Sequence, residues 1–173
     1  YILALTSTAV LCNGDSTGMA TVVATGGTPN YSYAWSSGSL IDVASNLIAG
    51  NYTIQISDIN GCSRNSSIVV TEPAALSTTL SMDSVSCIGG SDGVATVLVS
   101  GGVGSFEYLW NNGSGSTADT AGDLSVGWYT VIISDSNLCE LIDSVNILEP
   151  SIDITIDSLI ISEITCHDAD NAS

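Results

Sequence analysis

The chain has 173 residues, of which eighteen are Asp or Glu and one, Arg64, is basic beyond the single His167, for a formal net charge of −17. One cation cannot build a basic patch, which excludes nucleic acid as a partner and any phosphate or nucleotide site that needs clustered Lys or Arg. Hydrophobic residues at 45% are enough for a packed core, and no apolar run reaches the length of about 18 residues needed to span a membrane. The chain opens in mid-strand with Tyr1-Ile2-Leu3-Ala4-Leu5, with no basic segment followed by an apolar stretch as in a signal peptide, so a piece of something longer is expected. Residues 1–11 read as a first strand and 18–25 as a second, where Ala20 to Thr25 alternates. Residues 26–30, Gly-Gly-Thr-Pro-Asn, turn. Residues 31–36 make a third strand that carries Trp35, and a ragged stretch at 39–47 holds one or two short strands. Residues 51–58 and 64–71 form a hairpin around Asp58-Ile59-Asn60-Gly61, and Glu72-Pro73 closes the unit. No helix longer than a turn is legible. β-branched residues, Gly and Asn dominate, so the chain is all-β.

An internal repeat sets the architecture. Cys to the Gly-Gly pair is 14 residues in both copies (Cys12 to Gly26, Cys87 to Gly101), and Cys to Trp is 23 (Trp35, Trp110). Tyr to the second Cys is 10 (Tyr52 to Cys62, Tyr129 to Cys139), and that Cys to Pro is 11 (Pro73, Pro150). Only Trp to Tyr differs, 17 against 19, which places a two-residue insertion in a loop. A third copy starts at Cys166. The expected domains are therefore residues 1–73, 74–150 and the start of a third at 151–173. Six or seven strands with a Trp on the third is the pattern of an immunoglobulin-like sandwich, and Leu47 to Tyr52 and Leu124 to Tyr129 resemble its tyrosine corner. Trp35, Trp110, Tyr52 and Tyr129 are expected in core packing and corner bonding.

The combination Cys-x-Gly, Gly-x-Ala-x-Val, Gly-Gly, Tyr-x-Tyr-x-Trp, Leu-x-x-Gly-x-Tyr-Thr, Asp-x-Asn-x-Cys and Glu-Pro resembles the SprB repeat over nearly the whole chain. Asn137-Leu138 replaces Asn-Gly, and Phe106 replaces the first Tyr, in the second copy. The resemblance is to repeats of giant surface adhesins of gliding and related Bacteroidota, and also to the polycystic-kidney-type domains of such secreted proteins. It implies cell-surface export by the type IX route and a role as a stalk or adhesive filament, with gliding motility as one setting, without naming a ligand.

No catalytic constellation is legible. His167 has no histidine at its equivalents Asn13 and Ile88, so a Ser-His-Asp arrangement has no fixed base, and no enzyme is expected. Five Cys without a Cys-x-x-Cys pair do not make a zinc site. Asp15, Asp92, Asp168 and Asp170 follow the first Cys of each copy, and Asp58 and Asp135 sit at the hairpin turn. Calcium is the one cofactor such oxygens suggest, set against a solvated acidic surface; there is no Asp-x-Asp-x-Asp-Gly loop. Asp followed by Ser or Thr and a small or apolar residue resembles an O-glycosylation signal of exported Bacteroidota proteins, and marks Ser16, Ser84, Thr120, Ser144 and Ser158. Trp128 stands where the first copy has Asn51, so it is either a residue at a repeat interface or a ligand contact, and a carbohydrate-binding module is the rival to a structural one.

Two Cys per copy fit disulfides in an oxidising setting. An eleven-residue first strand spans roughly 35 Å. It would put Cys12 at the far end of its sandwich and Cys62 at the near end, whereas bridged Cα atoms lie within about 7 Å. The favoured bridge is therefore Cys12 to Cys139 across the joint between copies, with Cys62, Cys87 and Cys166 pairing to neighbouring repeats. The alternative is Cys12–Cys62 and Cys87–Cys139 within each copy, which would mean a first strand shorter or routed differently. The partners expected are neighbouring repeats of the same chain. Short Glu-Pro joints predict a semi-rigid rod.

Overall fold

The computed structural model describes residues 2–113 and 116–151. The third copy, with Cys166, His167, Asp168, Asp170 and Ser158, lies outside the described residues. Among the described residues all regular elements are strands: β1 Ile2–Thr8, β2 Gly18–Thr25, β3 Ser32–Trp35, β4 Val43–Leu47, β5 Gly50–Ser57 and β6 Ser63–Val70 in the first copy. In the second they are β7 Ser77–Asp83, β8 Gly93–Ser100, β9 Glu107–Trp110, β10 Thr120–Leu124, β11 Gly127–Ser134 and β12 Glu140–Ile147.

The strands form two pairs of three-stranded antiparallel sheets, β1-β2-β4 with β3-β5-β6, and β7-β8-β10 with β9-β11-β12. Strand order alone makes this an immunoglobulin-like Greek key: β1, β2 and β4 stand as A, B and E, and β3, β5 and β6 as C, F and G. Alternation places one side chain in two inward. Ala20, Val22, Ile54, Ile56 and Val70 fill the first core with Trp35; Ala95, Val97, Val131, Ile133 and Ile147 fill the second with Trp110. Each indole N–H is satisfied by a loop carbonyl, Trp35 by Ile41 and Trp110 by Ala118, both at 3.0 Å. Both tyrosine corners are made: Tyr52 donates to the Ile48 carbonyl and Tyr129 to that of Ser125.

Two expectations need adjustment. The ragged stretch is one strand, Val43–Leu47, with a register shift opposite Gly18 to Ala20. The first strand is seven residues, not eleven. After Thr8 the chain leaves β2, and the Val10 N–H donates to the Thr71 carbonyl beyond β6 at 2.8 Å, with the Val10 side chain plugging the end of the core. Val85 repeats this with Leu148. The strand is shorter because an apolar residue is needed to close the gap between sheets, and reaching it breaks the ladder.

Candidate functional site at the joint

The two sandwiches meet where the loop after β1 faces the β11–β12 turn. There the sulfurs of Cys12 and Cys139 are 2.02 Å apart with Cα atoms at 5.6 Å, a disulfide between residues 127 apart in sequence. The bridge runs across the joint although the first strand is short. Strand length was thus not the deciding quantity: Cys12 still lies at the far end of the first sandwich, and the second sandwich offers its hairpin turn there. Cys62 and Cys87, exposed, occupy the equivalent positions at the outer ends of the pair.

Backbone and side-chain bonds seat the same joint. The Asn137 amide donates to the Leu11 carbonyl at 2.8 Å, and the Gly102 N–H donates to the Ala74 carbonyl at 2.9 Å. Gly101 and Gly102 have φ of 78° and 64°, and a Cβ on Gly101 would overlap the Ala75 carbonyl. The Gly-Gly pair is therefore required twice over, by its left-handed backbone and by the close passage of the connector. On the first-sandwich side, the Gly14 N–H donates to the Glu72 carboxylate at 2.7 Å and the Asn13 amide to the Pro73 carbonyl at 3.0 Å. The Glu-Pro end of one unit is thereby tied to the loop that carries the disulfide.

Behind the disulfide, the buried Asp135 carboxylate collects three backbone donors: Asn137 at 2.8 Å and Cys139 at 2.9 Å on Oδ1, and Val103 at 2.9 Å on Oδ2. Asp58 is bonded in the same way by Asn60, Cys62 and Thr28. These two carboxylates clasp the hairpin turn to the loop after the second strand. Burial pushes the Asp135 pKa up, but the N–H groups of Cys139, Val103 and Asn137 outweigh it and hold the carboxyl below its ordinary value.

The remaining sequence candidates are scattered. Asp92 accepts from the Ser86 N–H at 2.9 Å, and Ser86 holds its carboxyl below the ordinary range. Asp15 is exposed on the joint loop. Among the described residues no three His, Cys, Asp or Glu side chains gather as a metal site would require. Ser16, Ser84, Thr120 and Ser144 are all exposed. Trp128 is 69% exposed, at the opposite end of β11 from the joint, and its counterpart Asn51 is exposed even with the following sandwich in place.

The replacement of Asn-Gly by Asn137-Leu138 has a backbone consequence that the letters alone did not give. Leu138 takes φ of 64° and is 80% exposed, where the first copy has Gly61 at φ 81°. A left-handed Leu costs about 1–2 kcal/mol, against roughly 0.5–1 kcal/mol of extra chain entropy for Gly. Leu138→Gly should therefore raise the melting temperature by a few degrees and Gly61→Leu should lower it, as thermal unfolding by circular dichroism reads directly.

Residues 4–40 and 79–115 each match the family model described as SprB repeat. None of the curated proteins matches the chain. Among solved structures, a Dscam structure concerned with isoform specificity is 14% identical with a TM-score of 0.36; the match covers 82% of this chain and 42% of that one, less than half its length. The amphioxus IgVJ-C2 molecule is 13% identical with a TM-score of 0.36, covering 84% of this chain and 95% of its own. Murine CEACAM1b is 12% identical with a TM-score of 0.33, covering 85% and 100%. Among the described residues no helix is long and apolar enough to cross a membrane.

Proposed function

From two SprB repeats standing in tandem, we propose that the chain is a non-enzymatic structural segment of a long cell-surface adhesin, exported by the type IX route, in which each repeat is stapled to the next. The observation that carries this reading is the Cys12–Cys139 disulfide across the joint. A bridge within a repeat would stabilise one sandwich. A bridge between repeats adds a second covalent connection beside Pro73-Ala74-Ala75-Leu76, and two connections resist bending where one acts as a hinge.

Periodicity extends the scheme. Cys87 is equivalent to Cys12 and would reach the final hairpin of a following repeat; Cys62 is equivalent to Cys139 and would receive the loop of a preceding one. The short connector supports a semi-rigid rod, because β7 starts at Ser77, within a few residues of Pro73. The acidic surface keeps such rods soluble and apart.

Electron microscopy of a longer array should show a thin fibre beaded at constant spacing and nearly constant angle. Beads at random angles in the oxidised protein would refute the stapled rod.

A further inference from the structure

The two sandwiches share their cores but not the outer face of the sheet built by their third, fifth and sixth strands. Inward positions match in kind: Trp35 with Trp110, Ile54 with Val131, Ile56 with Ile133, Val70 with Ile147. Outward, the first copy presents Ser32, Ala34, Asn51, Gln55, Ser63 and Asn65. The second presents Glu107, Leu109, Trp128, Ile132, Glu140 and Ile142 at the equivalent positions.

Register draws these six into one pattern. Leu109 is opposite Ile132, and Ile132 is opposite Ile142, an unbroken apolar row across three strands. Glu107 and Glu140 both pair with Ser134, so two carboxylates flank the strand two residues further along. Trp128 lies four residues from Ile132 in the other direction. Leu109 is 52% and Ile142 62% exposed. Isolated apolar residues on a surface are ordinary, but a contiguous row marks an interaction surface.

We propose that this face binds a cationic amphipathic polypeptide segment, with basic side chains on Glu107 and Glu140 and apolar ones on the row and Trp128. Charge decides the occupant. The carboxylate pair calls for a basic partner, and a second copy of this chain, with eighteen acidic residues and one basic, has no segment to supply it. Three aliphatic side chains offer a sugar no hydrogen bonds, whereas they match the apolar residues of a peptide. From Ser134 to Trp128 is roughly 20 Å along the strand, the reach of six or seven extended residues in which basic and apolar side chains sit two apart.

The test uses the whole chain and the eight-residue peptide Lys-Ser-Leu-Ser-Lys-Ser-Leu-Ser, which sets lysine and leucine two apart on one face when extended, followed by calorimetry. The first copy supplies substitutions that the fold already carries. Leu109→Ala, Ile132→Gln, Ile142→Asn and Trp128→Asn together leave every charge in place and should weaken binding at least tenfold. Glu107→Ser with Glu140→Ser should also weaken it, and the charge-matched control Asp15→Asn with Asp42→Asn should not. Circular dichroism and a non-reducing peptide map verify that each variant is folded and bridged. Equal losses in the control and the Glu pair, an unchanged affinity in the apolar variant, or no binding at all would each overturn the proposal. So would saturable binding of a neutral glycan abolished by Trp128→Asn. None of these outcomes bears on the stapled rod, which microscopy tests separately.

Discussion

Pulled between its two ends in an oxidising buffer, the pair of repeats should yield almost no length; after reduction it should lengthen by roughly 440 Å more. The difference follows from connectivity. The Cys12–Cys139 bridge spans 127 positions, each contributing about 3.5 Å when extended. With the disulfide intact, tension runs along β1 to Cys12, crosses to Cys139 and leaves along β12. Everything between is off the covalent load path. Force can then only shear β1 from β2 and β12 from β11, along ladders of seven and eight residue pairs loaded lengthwise. Without it, both sandwiches lie in series and unfold in turn. Single-molecule force spectroscopy with and without reductant measures this, and Cys139→Ser should behave as reduced protein does. Equal contour gains in both conditions would show that the bridge carries no load. At equilibrium the same closure would remove about 5 kcal/mol of unfolded-chain entropy in a loop of this length. The mechanical effect is larger because it is a matter of path rather than energy.

Asp135→Ala should lower the melting temperature by roughly 10 °C or more, because it strands three backbone donors at the joint in one step. Asp135→Asn should fall between: its carbonyl oxygen still serves Asn137 and Cys139, but its amide faces the Val103 N–H. The pH dependence has a definite sign. The folded pKa lies below the ordinary value of 3.8, so the contribution of Asp135 is fully present above that value. It is lost as pH falls through the lower folded pKa. The gap in melting temperature between wild type and Asp135→Asn should therefore be constant near neutrality and narrow in acid. A gap that persists unchanged at the lowest pH would mean that the carboxylate charge contributes nothing.

Local pattern carried much of this protein in its letters. Period-two alternation located the strands to within a few residues, since the pleat itself has that period. The repeat spacing fixed the equivalence of Trp35 with Trp110 and of Cys12 with Cys87. Placing Cys12 at the far end of its sandwich put it at the same joint as Cys139, and that inference survived an error in the length of β1. Less legible were side chains with two chemically sensible uses. Asp58 and Asp135 look like cation ligands until the loop after the second strand brings Thr28 and Val103 within reach of the free oxygen. Val10 looks like one more strand residue until the gap between sheets demands a plug.

The sequence by itself determined the strands, the repeat and the positions of the cysteines, because each depends on neighbours a few residues away or on a spacing that can be counted. Tertiary structure decided which oxygens meet which donors and which outward residues share a face. Leu109, Ile132 and Ile142 come from three strands, and only the hydrogen-bonded register sets them side by side. A slip of one residue would send each to the opposite face. That register is fixed by the buried sides of the same strands, so the exposed face is laid out by a core its own residues never touch.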